Sequence, residues 1–193
     1  MEIFFKPLAN LLSEKESKIV QHIIKLREDE ILSFNQYLID EIYNKYKIDG
    51  SVKINALINS DVEMVQEHNR ASVLTGYYEY AVVKYTFGIA GNVNILNYKP
   101  KKFKSGINNF YIENSKLILK ISTNFGNTDL SDECISNVKS HRDKMIVLIN
   151  ENIKELTDEI QVNNNILKKK IIELLEKRKS DIEKHNALKK KLM

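Results

Sequence analysis

The sequence predicts an α+β protein with a helical N-terminus, a central antiparallel sheet of about four strands, and a long C-terminal helical hairpin or coiled coil. Apolar residues recur mostly three, four or seven positions apart through 19–46 and again through 131–193, where Gly and Pro are absent. Residues 77–87 are rich in aromatic and β-branched side chains, which favour a strand. We expect the three segments, 1–48, 49–129 and 130–193, to form one compact domain.

The N-terminal segment is predicted to be mainly one long helix. Ser13 followed by Glu16 matches a capping box, and Asp49-Gly50 is a typical stop signal. The helix would span about 30 residues, on the order of 45 Å. Pro7 and the apolar residues after it are expected to form a turn or a short helix before it.

The central segment is predicted to contain short strands separated by turn residues. Pro100 should end one of them because proline cannot donate to a strand ladder. Asn114-Ser115 is predicted to be the two-residue turn of a hairpin. The predicted strands are 52–54, 77–87, 93–98, 110–113 and 116–123, with 55–60 ambiguous between strand and loop.

The C-terminal segment is predicted to begin a helix at Ser131, which can cap it, with Asp132 and Glu133 near the positive end of the helix dipole. Three consecutive asparagines, 163–165, are poor helix formers that compete for backbone hydrogen bonds. We therefore predict a break near Asn164 and a helical hairpin. One continuous helix is the alternative, because no Gly or Pro enforces a turn.

Composition predicts a soluble, folded protein. Of 193 residues, 42% are hydrophobic and 29% charged, and no run of about 18 apolar residues occurs that could span a membrane. The first residues lack a secretory h-region, and Cys134 has no second cysteine to pair with. We therefore expect a cytoplasmic protein. Lysine supplies 26 of the 30 basic residues, a bias that indicates an AT-rich, bacterial genome.

Positive charge is concentrated in two places and raises a nucleic-acid hypothesis. Residues 168–193 hold ten Lys or Arg against four Asp or Glu, a net +6, and 97–109 hold four Lys and no acid, a net +4. The second cluster stands beside Tyr98 and Phe103, and basic residues interleaved with aromatics can bind phosphates and stack bases. The alternative is a solvated loop whose aromatics point inward. The four lysines are Lys99, Lys101, Lys102 and Lys104.

The sequence contains no motif that indicates catalysis. Phosphate-binding, dinucleotide-binding, zinc-hydrolase and serine-hydrolase motifs are all missing. Cys134 and His141 could share a helix face, but two helical turns separate them by about 10 Å, too far for direct activation of a thiolate. We expect no enzyme activity, no metal and no cofactor. A ligand site or active site built from dispersed residues is a third hypothesis.

The apolar stripe of the C-terminal segment is predicted to be an interaction surface. Paired apolar residues on a strongly charged helix make a wider stripe than a simple two-stranded seam needs. We predict that it binds a second copy of the chain or another protein, with packing inside the chain as the alternative. The residues are Ile160, Leu167, Ile171, Leu174 and Leu175.

The chain resembles a family of uncharacterised bacterial proteins over residues 45–193. The marks of the resemblance are an aromatic strand ending in 85–87, a hairpin over 112–121, and a long amphipathic helix pair with Asn163 to Asn165 before its second member and a basic stretch through Arg178. Between strand and hairpin lie Gly91, Leu96, Tyr98, Pro100 and Phe103. The resemblance implies the fold and a bacterial origin, and we suspect an association with defence loci. No functional residues are transferred by it.

Overall fold

A computed structural model confirms the α+β prediction. The structure describes residues 2–68, 77–107, 109–124 and 126–192, and for Tyr78 it describes the backbone alone. The described residues form four α-helices, six strands and one 3₁₀ helix, Val93–Asn97. The helices are α1 (Leu8–Lys25), α2 (Glu28–Leu32), α3 (Gln36–Tyr46) and α4 (Asp132–Leu192). The strands are β1 (Lys6–Pro7), β2 (Val52–His68), β3 (Tyr77–Gly91), β4 (Tyr98–Lys99), β5 (Phe110–Glu113) and β6 (Lys116–Ser122).

The chain folds into two compact units, each assembled from separate stretches of sequence. The sheet unit contains Met1–Lys6 and Ser51–Leu156, and the helical unit contains Pro7–Gly50 and Thr157–Met193. The division therefore does not follow the three consecutive segments expected from the sequence. Helix α4 contributes its first part to the sheet unit and its second part to the helical unit.

The sheet unit is built on a four-stranded antiparallel sheet with the order β2-β3-β6-β5. Strand β3 is central, and its buried residues include Ala81, Val83 and Phe87, as its composition predicts. The predicted hairpin is also confirmed, because Asn114 and Ser115 have φ angles of 48° and 59°, as a tight two-residue turn of type I′ requires.

Two strand predictions need correction. Strand β2 runs for 17 residues instead of the predicted three, because it lies at the sheet edge, where its polar residues remain in water. Residues 93–98 are mainly a 3₁₀ helix instead of a strand. Gly91 has a φ of +87°, and the chain turns there so that the amide of Asn92 donates to the Ser51 carbonyl at 2.6 Å. The turn directs Ile95 and Leu96 into the core.

The helical N-terminus consists of three helices, so the prediction of one long helix is wrong. Helix α1 begins at Leu8, directly after Pro7, and Ser13 lies inside it instead of capping it. The chain bends after Lys25 and again before Gln36, where the side chain of Asn35 accepts bonds from the amides of Tyr37 and Leu38. The bends let the three short helices surround a shared core. A single straight helix could not turn all of these apolar residues toward the same core. The core residues are Ile19, Ile23, Ile31, Ile39, Ile42, Leu167, Ile171 and Leu175.

Helix α4 is continuous through Asn164, so the predicted break and the helical hairpin are wrong. The side-chain oxygen of Asn164 accepts from the Ile48 amide at 3.0 Å, and its side-chain nitrogen donates to the Ile48 carbonyl at 2.8 Å. Because the side-chain amide of Asn164 bonds to Ile48, it does not compete for the backbone hydrogen bonds of its own helix. An asparagine that weakens an isolated helix therefore supports this one.

Candidate interaction surface

Four of the five residues predicted to contact another chain are buried inside this one. Ile160, Leu167, Ile171 and Leu175 are at most 4% exposed, and Leu174 is half-buried. Three of the four belong to the core of the helical unit, where α4 packs against the N-terminal helices. In this structure the stripe therefore stabilises the chain's own fold, and Leu174 is the member that stays accessible.

Ile160 has a separate role in the helical unit. A Cβ atom added to Gly50 would lie 3.1 Å from Ile160 Cγ2, so the chain passes directly against this side chain. Thr157, less than one turn earlier on α4, donates its hydroxyl to the Gly50 carbonyl at 3.2 Å. Ile160 is thus a packing residue beneath the loop that ends the N-terminal helices.

The accessible surface beside Leu174 is an apolar groove between α1 and α4 in the helical unit, which we call the α1–α4 groove. Its volume is about 370 Å³. Leu167 and Leu174 line it from α4, and Ile19 and Val20 line it from α1. The charged residues at its margins are Glu16, Lys170, Glu173 and Lys177.

Exposed apolar residues extend the groove along both helices. On α1, Val20 is 37% exposed and Ile24, one turn later, is 57% exposed. On α4, Ile166 is 46% exposed and precedes the groove residue Lys170 by one turn. Residues four positions apart lie on the same helix face, so these side chains continue the apolar lining onto the open surface. A row of accessible apolar residues beside an apolar groove is typical of an interaction site.

The charges at the groove are only partly neutralised within the chain. Lys170 and Glu16 form an ion pair across the two helices. Elsewhere on α4, Lys168 pairs with Asp40 of α3 at 2.7 Å. The hydrogen bond from Lys168, followed by that from Gln36, lowers the pKa of Asp40. Within the part of the chain that the structure describes, neither Lys177 nor Glu173 forms an ion pair with any residue. Both charges remain available at the groove margin.

The lysine loop predicted as a nucleic-acid site is held against the sheet unit's own residues. The amide of Lys104 donates to the Asn152 side-chain oxygen at 2.8 Å, and Lys104 Nζ lies 3.1 Å from a Glu151 carboxylate oxygen. Phe103 is half-buried and packs on buried Phe4, with ring centroids 5.7 Å apart, so part of this aromatic ring is covered within the chain. Lys101 and Lys102 are exposed, and Lys99 is half-buried in β4.

Cys134 and His141 line a second, open groove of about 660 Å³ in the sheet unit. The predicted cap is confirmed there, because Ser131 Oγ accepts from the Cys134 amide at 3.2 Å. Over the residues that the structure describes, no group of three or more His, Cys, Asp or Glu side chains is arranged to hold a metal ion. The described helices include none that is long and apolar enough to cross a membrane.

Two asparagines of α4 hold loops in place, a role that sequence reasoning missed. Asn152 is fully buried and holds Lys104, just as Asn164 holds Ile48. Their only sequence signal was a polar residue within an apolar stripe. The groove residue Val20 and its exposed neighbour Ile24 belong to adjacent apolar pairs, Ile19-Val20 and Ile23-Ile24, which make a helix apolar on more than one face.

No protein-family model matches this chain, and comparisons with characterised proteins and with solved structures also find no match. The resemblance to uncharacterised bacterial proteins therefore stays a prediction.

Proposed function

We propose that this protein is a non-enzymatic protein-interaction module whose contact surface is the α1–α4 groove. The observation that carries the proposal is an apolar groove continued on both sides by the exposed side chains of Val20, Ile24 and Ile166. We place the module in the bacterial cytoplasm because of its lysine-rich composition and single cysteine, and an association with defence loci belongs to the same proposal.

Because most of the predicted stripe is buried, the proposed contact surface shifts from the stripe to the accessible residues of the α1–α4 groove. Leu167, Ile171 and Leu175 hold α4 in the helical unit, so they support the groove from below. We assign the contact itself to accessible residues that are not among the fully buried core residues, such as Val20 and Leu174. Their burial by another chain would contribute about 25 cal/mol for each Å² of apolar surface removed from water.

The nucleic-acid alternative has weaker support. Lys104 is held by Glu151 and Asn152, and Phe103 is packed on Phe4. Stacking of bases requires an accessible aromatic face. We therefore prefer the groove to the lysine loop as the functional surface.

A photocrosslinking amino acid tests the groove directly. It is introduced at Val20, which faces the groove, and separately at Gln21, which is exposed on a different side of α1. Each full-length protein is irradiated when purified and in an extract of cells that encode it. We expect a discrete adduct from position 20 and none from position 21.

The adduct should disappear when Ile24→Glu is added, because this exposed residue borders the groove and its replacement leaves the core intact. An adduct of twice the chain mass from purified protein would assign the contact to self-association, whereas a different mass in extract would assign it to another protein. Equal adducts from both positions, or none from position 20, would contradict the proposal.

A further inference from the structure

We infer that the α1–α4 groove takes an acidic amphipathic helix of another protein, which runs along the C-terminal part of α4. This inference rests on the interaction function proposed above and specifies the partner's chemistry. It is carried by the shape of the groove, the exposure of the end of α4, and the charge of that end.

The groove favours a helix over an extended peptide. Its apolar walls come from two helices, with exposed Val20 on α1 and half-buried Leu174 on α4 accessible to a partner. Buried Ile19 and Leu167 lie beneath them. On α1, Val20 and Ile24 are four residues apart, which is about one helical turn, so they lie on one face. A helix with apolar residues at positions i, i+3 or i+4, and i+7 places them at the same spacing.

The end of α4 continues this surface beyond the groove. Residues 176–192 are all described, and none of them is buried. Leu188 is 55% exposed and Leu192 is 79% exposed, and the two are one turn apart. Leu188 follows Leu174 by four turns, so a helix lying in the groove and extending toward the end of α4 would meet further apolar side chains.

Charge determines which helix fits. Residues 176–192 carry seven Lys or Arg and three Asp or Glu, so their net charge is 7 − 3 = +4. Lys177, Lys184 and Lys191 recur every seven residues and therefore form a row on one side of α4. Across the described ranges, these three lysines form no ion pair. Acidic residues flanking the apolar face of a partner helix would complement this row.

The same row argues against a second copy as the occupant. In a symmetric pairing centred on this part of α4, each copy presents the row to its equivalent in the other copy. Like charges would then face one another, and this opposes association. An acidic partner avoids the repulsion.

Peptide binding tests the inference. The probe is a fluorescent synthetic peptide of about 18 residues, or five helical turns, with leucine at helical spacing and glutamate on both flanks. Its counterpart has every glutamate replaced by lysine. Measured by fluorescence anisotropy on the full chain at low salt, the acidic peptide should bind at least tenfold more tightly, and its affinity should fall as salt rises.

Two charge reversals and one matched control locate the binding site. Lys177→Glu and Lys184→Glu should each weaken binding of the acidic peptide by about threefold to tenfold, since they replace attraction with repulsion near the surface. Lys190→Glu changes the charge equally but lies on a different side of α4, so its effect should stay within about twofold. Equal effects of all three reversals would overturn the row as the determinant.

The outcomes separate this inference from the proposed function. If both peptides bind equally and Val20→Glu abolishes both, the groove is an interaction site but the acidic-partner inference is wrong. If the acidic peptide binds equally well to Val20→Glu, it lies elsewhere and the inference is also overturned. Failure of the photocrosslinker at Val20 would instead contradict the proposed function itself.

Discussion

Asn164 on α4 and Ile48 after α3 are joined by two reciprocal hydrogen bonds, which use both polar groups of the asparagine amide and both polar groups of the Ile48 backbone. The amide thus acts as a strand partner would, and it fixes the end of the N-terminal helices to α4. The same relationship recurs in the sheet unit, where Asn152 bonds to both backbone groups of Lys104. Each unit therefore contains an asparagine that connects α4 to a loop.

Asn164→Ala should destabilise the helical unit. The change leaves the Ile48 amide and carbonyl without protein partners, and the loss should be about 1 to 3 kcal/mol in the free energy of unfolding. The measurement is urea denaturation followed by circular dichroism. Asn165→Ala, at an exposed neighbouring position, is the control and should be neutral or slightly stabilising, because alanine is the better helix former. Equal destabilisation by both would contradict the role of the Asn164 amide.

Asn152→Ala should destabilise the sheet unit more strongly. Asn152 is fully buried, accepts from the Lys104 amide at 2.8 Å, and donates to the carbonyls of Lys104 and Leu148. Losing these bonds in the interior and leaving a cavity should cost about 2 to 4 kcal/mol. Asn150→Ala, exposed on the same helix, should change the unfolding free energy by less than about 0.5 kcal/mol. A loss below about 1 kcal/mol for Asn152→Ala would show that water replaces these partners.

Gly91→Ala should disrupt the turn between β3 and the 3₁₀ helix. Gly91 has a φ of +87°, and an added Cβ would lie 2.2 Å from the Ser51 carbonyl oxygen. Both the left-handed backbone and the clash with a backbone atom oppose alanine, so we expect a loss above about 2 kcal/mol. Gly126→Ala is the matched control, since its nearest contact would be an ordinary 3.8 Å. Similar thermal midpoints for both variants would show that the turn can rearrange.

The helical unit should lose stability as the pH falls below about 6.5. Burial, and then the positive charge of Lys45, lowers the pKa of His22, while Glu41 and Glu30 act in the opposite direction. His22 also packs on Tyr46, and its buried Nδ1 has no hydrogen-bond partner among the described residues. Because the folded pKa lies below the ordinary value of about 6.5, the unfolded chain binds the proton first. Stability is therefore fully present above pH 6.5 and decreases below it.

Denaturation midpoints between pH 7.5 and 5 provide the measurement for His22. The decrease should be smaller in His22→Gln, which cannot take up the proton, and unchanged in His141→Gln, whose parent side chain is exposed. Restricting the range to pH 5 and above keeps most carboxylates ionised. Identical pH profiles for wild type and His22→Gln would show that other groups govern the decrease.

Several elements follow from local sequence patterns alone. The strand around Val83 and Phe87 is predicted by its aromatic and β-branched composition, and the hairpin is predicted because Asn114-Ser115 tolerates positive φ angles. The cap at Ser131 and the helix after it are likewise local, because a side-chain oxygen near the first turn satisfies its own neighbours. For these elements, the residues that decide the structure are adjacent in the chain.

The elements that were predicted wrongly depend on residues far away in the sequence. From its local sequence, Asn164 indicates a helix break. In the structure its side-chain amide forms two hydrogen bonds with the backbone of Ile48, 116 positions earlier, and the helix continues. The N-terminal segment forms three short helices instead of one straight helix because the short helices pack around a core shared with Ile171. Leu167 and Ile171 belong to an apolar stripe that the sequence predicts, but which side chains remain open to a partner depends on what α1 covers.

Composition and short-range spacing encode the α+β class, the sheet's central strand and hairpin, and the long apolar stripe of α4, so these features are predictable from the residues alone. Contacts between distant segments establish that α4 is unbroken, that Ile171 faces its own chain, and that Val20 and Leu174 border an open groove. Burial and hydrogen-bond satisfaction are properties of contacts between distant segments. Periodicity shows that a side chain needs a partner, and the fold determines whether that partner lies within the chain.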